Sequence, residues 1–490
     1  MTAVPFEARA PIFPAWRLPI GKVGSDLLIV LSWALGLRII FAVLTANTYD
    51  PDEFVILVLS RDWTHGAVPY RDFMFFHPPG MLVLFRLLAP LTSWWWPSAR
   101  VVVLLIDTAT ALCVWRIGTI LYGRRTALAA GLLYGASPLA LVCAVRVEQD
   151  PIITALGIGG LTVLLSTRTY RGAALAGACL GLAVCVKYPA AIFLPVYILA
   201  APRRAIASVP AAAATAAVGL APFIPEFHSL YDQTVTWQLV RRTPLDLVHR
   251  FGGVAVFWLL LNPLAVFAVI RGRKPVWLVG GFALGGVFVF ASQAYYHYFV
   301  PILPFAALLA APIAADLIHR WPRKLAVGTI AFVVAWAVDV DAGTGPTSLF
   351  ITASHLSAVQ ATARVIDRWT SPRARVLTDQ FEYAFLASRT PATDYFWNMS
   401  GIVHARDLET RLPTEGAVVM TDRVAATYPS GFTEYLTDKR FLRIQTGTTQ
   451  IWLLIPNRLA AETAPGARVL CNPVPSVRRV ALLTSPEYCP

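Results

Sequence analysis

Apolar runs of about twenty residues, the length that a bilayer requires of a spanning helix, recur from Ser25 to Val340. Short polar loops separate them. This pattern predicts an α-helical polytopic membrane protein with about eleven transmembrane helices. The predicted spans are Ser25–Ala46, Ala99–Tyr122, Thr126–Ala144, Ile152–Ser166, Gly172–Val186, Ala190–Ala201, Ala205–Phe223, Gly253–Ile270, Val276–Gln293, Phe299–Leu317 and Leu325–Val340.

The pattern changes after Val340. Short alternating stretches at Arg375–Asp379, Ala417–Thr421 and Gln450–Ile455 predict strands, and Ser354–Trp369 predicts an amphipathic helix. We therefore expect a small α/β domain over residues 341–490, of a size normal for one folding unit.

The composition agrees with a membrane protein and excludes a single soluble core. Hydrophobic residues make up 57% of the chain, charged residues only 14%, and the mean hydropathy is +0.60. A soluble protein has about 25% charged residues. The net charge of +13 resides mostly in short loops, and no recognition motif accompanies it, so we expect no nucleic-acid partner.

Loop charges predict the orientation, because short basic loops belong on the cytoplasmic side. They place the protein in the plasma membrane, with residues 1–24 in the cytoplasm. The loop 47–98 and the C-terminal domain are predicted to face the outside of the cell. Pro79–Leu91 is apolar but short and contains Arg86, so we expect a helix lying in the outer interface.

Two further pairs of residues are expected to contact each other. Cys471 and Cys489 would face an oxidising compartment and are predicted to form a disulfide. Arg38 and Asp107 lie within spans and are expected to pair as a buried structural bridge.

The first external loop contains the densest group of candidate chemical residues. Asp50, Asp52 and Glu53 place three carboxylates within four positions at the exit of a spanning helix. Carboxylates near hydrocarbon are desolvated, which can raise their pKa toward that of a useful general base. A structural interpretation is equally open, in which Asp50 is an N-cap candidate and Asp52 and Glu53 open a helix.

Further polar groups are expected at the same side of the membrane. Arg146–Asp150 follows the third span, Lys187–Pro189 the fifth and Tyr295–Tyr298 the ninth. Ionisable residues at membrane depth are costly and indicate a functional site. The convergence of four clusters on one face favours function over structure.

The motifs resemble those of the GT-C superfamily of glycosyltransferases. Their order is Asp52–Glu53, His77-Pro-Pro, Glu148-Gln-Asp150, Lys187-Tyr-Pro and His297-Tyr with a following proline. The resemblance covers roughly Ser25 to Pro304. Within the superfamily, the sequence resembles the branch that contains protein O-mannosyltransferases, the lipid A aminoarabinose transferase and mycobacterial mannosyl- and arabinofuranosyltransferases.

The resemblance implies an inverting transfer from a polyprenyl-phosphate sugar, with mannose or arabinofuranose as the sugar. The acceptor would be an extracytoplasmic glycan, glycolipid or protein. It implies Asp52 as the general base, although Asp50 competes for this role. It also implies Glu53 as a catalytic partner of Asp52. Lys187, His297 and Arg146 would bind the donor phosphate. The residues implied to bind the acceptor or to support the site are Asp50, Asp150, Glu148, His77 and Tyr298.

No cofactor is expected, and no divalent metal, because the aspartate-dense motif of metal-dependent oligosaccharyltransferases is absent. A lipid-linked sugar flippase or transporter is the alternative, but transporters bind substrate near mid-membrane rather than at helix ends. A third interpretation is a binding or assembly protein that works through its external domain.

Overall fold

The computed structural model describes residues 20–240, 262–271, 274–286, 295–343, 354–378, 380–391, 416–421, 442–446, 449–454 and 481–482. Its helices are Ile20–Leu44, Pro51–Thr64, Gly80–Leu87, Ala89–Trp94, Ser98–Tyr122, Arg124–Gly135, Pro138–Ala144, Gln149–Ser166, Tyr170–Val186, Phe193–Ala200, Ala205–Leu220, Phe227–Tyr231, Trp237–Val240, Pro263–Arg271, Val276–Ala283, Leu303–Arg320, Pro322–Ala342, Leu356–Trp369 and Phe381–Leu386.

The predicted polytopic helical architecture is confirmed. Among the described residues, six helical stretches are long and apolar enough to cross a membrane, and a bent pair of helices adds up to one more. The six are Gly24–Leu44, Ser98–Tyr122, Gln149–Ser166, Pro202–Leu239, Tyr296–Arg320 and Pro322–Ala342. Shorter apolar helices occupy Tyr170–Val186, Tyr188–Ala200 and Val276–Gly286. The total of eleven stays a prediction, because parts of Gly253–Ile270 and Val276–Gln293 lie outside the described residues.

Two predicted helices are each divided in two. The predicted span Thr126–Ala144 is the pair Arg124–Gly135 and Pro138–Ala144, bent by 56°. Proline at position 138 lacks an N–H and disfavours helical backbone before it, which explains the break. The predicted interfacial helix Pro79–Leu91 is likewise two short helices, Gly80–Leu87 and Ala89–Trp94, with Pro90 in the first turn of the second.

Small residues allow close packing within the bundle. A methyl group at Gly177 would overlap the Ser208 carbonyl, and one at Gly181 would overlap the Ala212 carbonyl. Both glycines lie on Tyr170–Val186, which therefore packs directly against the backbone of Ala205–Leu220. Close approach through small residues is typical of helix packing in membranes, where apolar burial alone gives little driving force.

The predicted Arg38–Asp107 pair is confirmed and lies fully buried. Arg38 Nε donates to Asp107 Oδ2 at 2.8 Å, and the Tyr134 hydroxyl donates to Asp107 Oδ1 at 2.6 Å. Arg38 Nη1 also donates to the Gly135 carbonyl at 3.2 Å, where the bent pair breaks. The ion pair thus satisfies a backbone group that the break leaves without its helical partner.

The first long loop, residues 47–98, contains a helix that the apolar pattern alone did not predict. This segment, Pro51–Thr64, is called here the acid helix, and its residues Glu53–Ser60 are buried. The two-residue strand before it, β1 (Thr48–Tyr49), pairs antiparallel with β2 (Ser354–His355). The first loop and the C-terminal part of the chain are therefore joined directly.

The C-terminal part contains a six-stranded mixed sheet. Its strands are β3 (Arg375–Leu377), β4 (Thr390–Pro391), β5 (Gly416–Thr421), β6 (Leu442–Thr446), β7 (Thr449–Leu454) and β8 (Ala481–Leu482), in the order β4-β3-β5-β7-β6-β8. The three predicted strands and the amphipathic helix, observed as Leu356–Trp369, are present. The boundaries 1–24, 25–340 and 341–490 stay predictions.

The cysteines divide between described and undescribed residues. Cys113, Cys143, Cys179 and Cys185 are free thiols. Cys471 and Cys489, the predicted disulfide, lie outside the described residues.

We expect Asp107→Ala to lower the free energy of unfolding by about 3–5 kcal/mol, because Arg38 would remain as an uncompensated buried charge. Thermal unfolding in detergent measures this. Replacing both partners with apolar residues should cost less than Asp107→Ala. The exposed Arg71, paired with Asp72, provides the control, and Arg71→Ala should change little. Equal effects of Asp107→Ala and Arg71→Ala would contradict a structural role for the buried pair.

Candidate active site

Asp50 opens the acid helix as its N-cap. Its side chain accepts from the Asp52 N–H at 3.0 Å, and the Glu53 side chain accepts from the Asp50 N–H at 2.9 Å. Pro51 occupies the first helical position, where a missing N–H costs nothing. This reciprocal capping box fixes all three carboxylates of the motif in one turn. The helix-opening interpretation of these acids is therefore correct, and it does not compete with a chemical role.

Glu53 connects three segments through one buried carboxylate, with the side chain 0% exposed. Arg100 donates to it through Nε at 2.8 Å and Nη2 at 2.9 Å. The Val147 N–H donates to Glu53 Oε2 at 3.0 Å. Both oxygens are thus bonded to groups of the protein. This geometry suits a residue that positions its neighbours.

Arg146 and Glu148 lie in the turn between Pro138–Ala144 and Gln149–Ser166, beside the Asp50 cap. Arg146 Nη1 is 3.6 Å from Asp50 Oδ2 and donates to the Tyr296 hydroxyl at 2.9 Å. That hydroxyl donates to Glu148 Oε1 at 3.1 Å. Tyr296, which lies 150 residues after Arg146 in the sequence, therefore links the arginine to the glutamate.

Lys187 and Asp150 form a second buried pair at the same end of the bundle. Lys187 Nζ donates to Asp150 Oδ2 at 2.7 Å and lies 4.3 Å from the centre of the Tyr298 ring. His297 Nε2 is 3.9 Å from the same carboxylate oxygen. The structure thus brings together the charged groups that follow the first, third, fifth and ninth predicted spans.

Several buried polar atoms in this cluster have no hydrogen-bond partner among the described residues. They are Arg146 Nη2, Gln149 Nε2, Glu148 Oε2 and His297 Nδ1. Buried polar groups are normally paired, and an exception indicates an unfilled partner position. Two of the four atoms are obligate donors, which suits a ligand with acceptor oxygens.

Burial and mutual charge shift the ionisation of the cluster. Desolvation, reinforced by repulsion from Asp50, raises the pKa of Glu148 to about 8, against the lowering influence of Arg146. Desolvation also raises the pKa of Asp50, although Arg146 opposes it. Burial opposes the charge of Lys187, but attraction from Asp150, Tyr298 and Glu148 outweighs it and raises the pKa of Lys187. The cluster therefore keeps its two cations while one carboxyl is mostly neutral at pH 7.

The remaining predicted residues lie around this cluster. Asp52 is half-buried in the first turn of the acid helix, next to the Asp50 cap. His77 is half-buried, its carbonyl accepts from the Tyr70 hydroxyl at 2.7 Å, and its ring is close enough to His297 to interact electrostatically. The Tyr298 ring packs edge-on against His297, with centroids 4.8 Å apart.

Glu148, Asp150 and His297 could offer ligand atoms to a metal ion, since these atoms lie within 4.8 Å of one another. The charge balance does not fit a divalent cation, however. Asp150 Oδ2 already accepts from Lys187, and Arg146 lies beside Glu148. A further buried cation would be repelled by both. We therefore assign no metal role to these residues, and metal independence stays a prediction.

The sequence pattern did not identify three residues of the cluster as functional. Arg100 holds Glu53, Tyr296 bridges Arg146 and Glu148, and Gln149 contributes an unpaired donor. Gln149 and Tyr296 lie inside the predicted motifs, but a motif does not show which neighbour faces inward. Arg100, directly after a tryptophan-rich interface segment, carries no sequence signal of its own.

Comparisons with known proteins give a family match and a fold. Residues 76–228 match the family described as dolichyl-phosphate-mannose-protein mannosyltransferase. No curated protein sequence matches significantly.

Solved structures match nearly the whole chain. ArnT from Cupriavidus metallidurans in the apo state has a TM-score of 0.59 at 14% identity, covering 88% of this chain and 97% of that one. The same protein bound to undecaprenyl phosphate has a TM-score of 0.58 at 14% identity, covering 90% and 99%. An Archaeoglobus fulgidus oligosaccharyltransferase in complex with Zn and sulfate has a TM-score of 0.51 at 11% identity, covering 88% and 74%.

At such low identities the likeness shows the fold, and the sequence motifs and the family match agree with it. The chain therefore has the GT-C fold.

Proposed function

We propose that the protein is an inverting glycosyltransferase that moves a sugar from a polyprenyl-phosphate donor to an acceptor outside the cytoplasm. The observation that carries this proposal is the buried cluster at one end of the bundle. There, near Lys187 and the capped acids, Arg146 and Gln149 have donor atoms without a partner in the described part of the chain. Such a site can take the phosphate of a lipid while its chain remains among the apolar helices.

Two observations on related proteins support the donor class. Residues 76–228 match a family whose description names dolichyl-phosphate-mannose. The structure of ArnT bound to undecaprenyl phosphate has a similar fold. We propose mannose or arabinofuranose as the sugar, and a glycan, glycolipid or protein as the acceptor. The basic loops at the opposite ends of the helices support an outward-facing site.

The proposed reaction is a single displacement. The acceptor hydroxyl oxygen forms a bond to the anomeric carbon while the bond from that carbon to the phosphate oxygen breaks. Asp52 takes the hydroxyl proton, and Arg146 and Lys187 stabilise the negative charge of the departing polyprenyl phosphate, with His297 as a further contact. Because the donor is already activated, one carboxylate base is sufficient.

The other acids have supporting roles in this proposal. Asp50 caps the acid helix and pairs with Arg146, which places Asp52 beside the phosphate site. Glu53 holds the helix against Arg100 and Val147. Asp150 holds Lys187, and Glu148 with His77 and Tyr298 completes the lining toward the acceptor.

We expect Asp52→Asn to lower kcat by about 10²–10⁴-fold, the contribution of a general base, while folding is retained. Steady-state transfer assays with purified protein and extracted lipid-linked donors measure this. Asp50→Asn is the matched variant, since an asparagine can still cap the helix. Native activity of Asp52→Asn together with an inactive Asp50→Asn would make Asp50 the base. Native activity of both would contradict the proposed reaction.

Lys187→Ala should raise the donor KM by about ten- to hundredfold through loss of a charge-assisted contact with the phosphate, with a smaller effect on the acceptor KM. Lys187→Arg should restore only part of the affinity, since a planar guanidinium does not replace a compact ammonium. Lys324, exposed in the first turn of Pro322–Ala342, is the control, and Lys324→Ala should leave both KM values unchanged. A larger effect on the acceptor than on the donor would contradict the phosphate assignment.

The pKa of Glu148, raised from 4.5 to about 8, predicts an alkaline limit to activity. Ionisation near pH 8 adds a negative charge beside Asp50 and repels the donor phosphate, so kcat/KM should fall as the pH rises through about 8. The raised pKa also means that stability falls as the pH increases from 4.5 toward 8. Glu148→Gln remains neutral and should abolish the alkaline fall. An identical pH profile in that variant would assign the limit to another group.

A further inference from the structure

The segment immediately before the acid motif is bound to the C-terminal part of the chain. The Leu356 N–H donates to the Asn47 carbonyl at 2.7 Å, and the Ser357 N–H donates to Asn47 Oδ1 at 3.1 Å. In the β1–β2 pair, Thr48 lies opposite His355 and Tyr49 opposite Ser354. The backbone that leads into Asp50 is therefore fixed by residues some 300 positions away, as the 310-residue separation of Asn47 and Ser357 shows.

A buried polar contact reinforces this backbone pairing. The Tyr49 hydroxyl donates to Glu382 Oε1 at 2.8 Å, and the two residues are 3% and 1% exposed. Glu382 lies in the helix Phe381–Leu386, called here the docking helix. Because both side chains are buried, losing this hydrogen bond would cost more than losing one at the surface, where water could replace the missing partner. The contact therefore holds Tyr49, the residue next to Asp50, in one orientation.

The docking helix also contacts the acid helix beyond the acid motif. The Phe54 and Phe385 rings pack with centroids 5.5 Å apart. Arg61 lies over the Phe385 ring, 5.4 Å from its centroid, and its Nη2 donates to the Arg389 carbonyl at 2.9 Å. The residues on both sides of Asp50–Glu53 are thus held against the same six-residue helix.

We propose that Glu382 is a positioning residue: through Tyr49 it fixes the acid motif against the Arg146 and Lys187 cluster, so that the C-terminal domain is part of the catalytic unit. This inference rests on the proposed glycosyl transfer for its consequence on rate. The physical part, that the docking helix orders the acid motif, does not depend on the reaction. Glu382 itself contacts Tyr49 and is assigned no contact with substrate.

The test compares three variants of the full-length protein with a matched control. Tyr49→Phe removes one hydroxyl, Glu382→Ala removes the acceptor, and Glu382→Gln keeps an oxygen that can accept from Tyr49. The control is Arg375→Ala, which removes the hydrogen bond from Arg375 Nη2 to the Pro391 carbonyl at 3.1 Å, within the C-terminal sheet. Each protein is measured by amide hydrogen exchange, by transfer kinetics and by thermal unfolding.

We expect Tyr49→Phe and Glu382→Ala to speed exchange of the Asp52 and Glu53 amides by about tenfold, as loss of a buried hydrogen bond implies. Their kcat should fall by a similar factor with the donor KM within about twofold, because the base is misplaced while the phosphate contacts remain. Glu382→Gln should restore most of both values, and Arg375→Ala should match the native protein.

Unchanged exchange in Tyr49→Phe, or the same changes in Arg375→Ala, would overturn the positioning role. Faster exchange with a native kcat would overturn its catalytic consequence. If Glu382→Ala does not fold, Tyr49→Phe still decides the question. A native protein that shows no transfer, combined with faster exchange in Tyr49→Phe, would reject the proposed function and retain the docking contact.

Discussion

The buried carboxylate of Glu53 is the constraint on which the geometry of the cluster depends. It accepts from the Asp50 N–H, from Arg100 at the start of the second spanning helix, and from the Val147 N–H. A fully buried anion is tolerated only when its oxygens are well paired. These bonds therefore fix the acid helix to the turn that carries Arg146 and Glu148, and the mutual positions of the other charges follow from this connection.

Charge balance explains how so many ionisable groups coexist in a buried region. Lys187 is paired with Asp150, and Arg146 faces Asp50 and the Tyr296 hydroxyl. Glu148 avoids a further buried charge because its pKa is raised to about 8. The atoms of the cluster that have no partner among the described residues support the proposed phosphate site. An anionic group with several acceptor oxygens would complete the set.

The bundle and the C-terminal part also depend on each other. The break at Pro138 divides one predicted span into two helices, and the second of these leads to Arg146 and Glu148. Arg38, paired with Asp107, stabilises the bend through its hydrogen bond to the Gly135 carbonyl. Strand β2 and the docking helix, both from the C-terminal part, hold the segments that flank the acid motif. The C-terminal part of the chain therefore packs directly against the segments that contain the acid motif.

The sequence by itself determined the helical membrane architecture, since a bilayer admits few other solutions for long apolar runs. It also indicated which helix ends carry Asp50, Arg146, Asp150, Lys187 and His297, because those motifs follow the spans directly. Only the tertiary structure decided the pairings within the cluster and in the segments that flank the acid motif. Arg100 and Glu53 are separated by 47 residues and Tyr49 and Glu382 by 333. Local patterns carry no information about contacts at such separations, and they do not show which of several adjacent tyrosines faces inward. Those choices result from how the bent helices and the docking helix pack together.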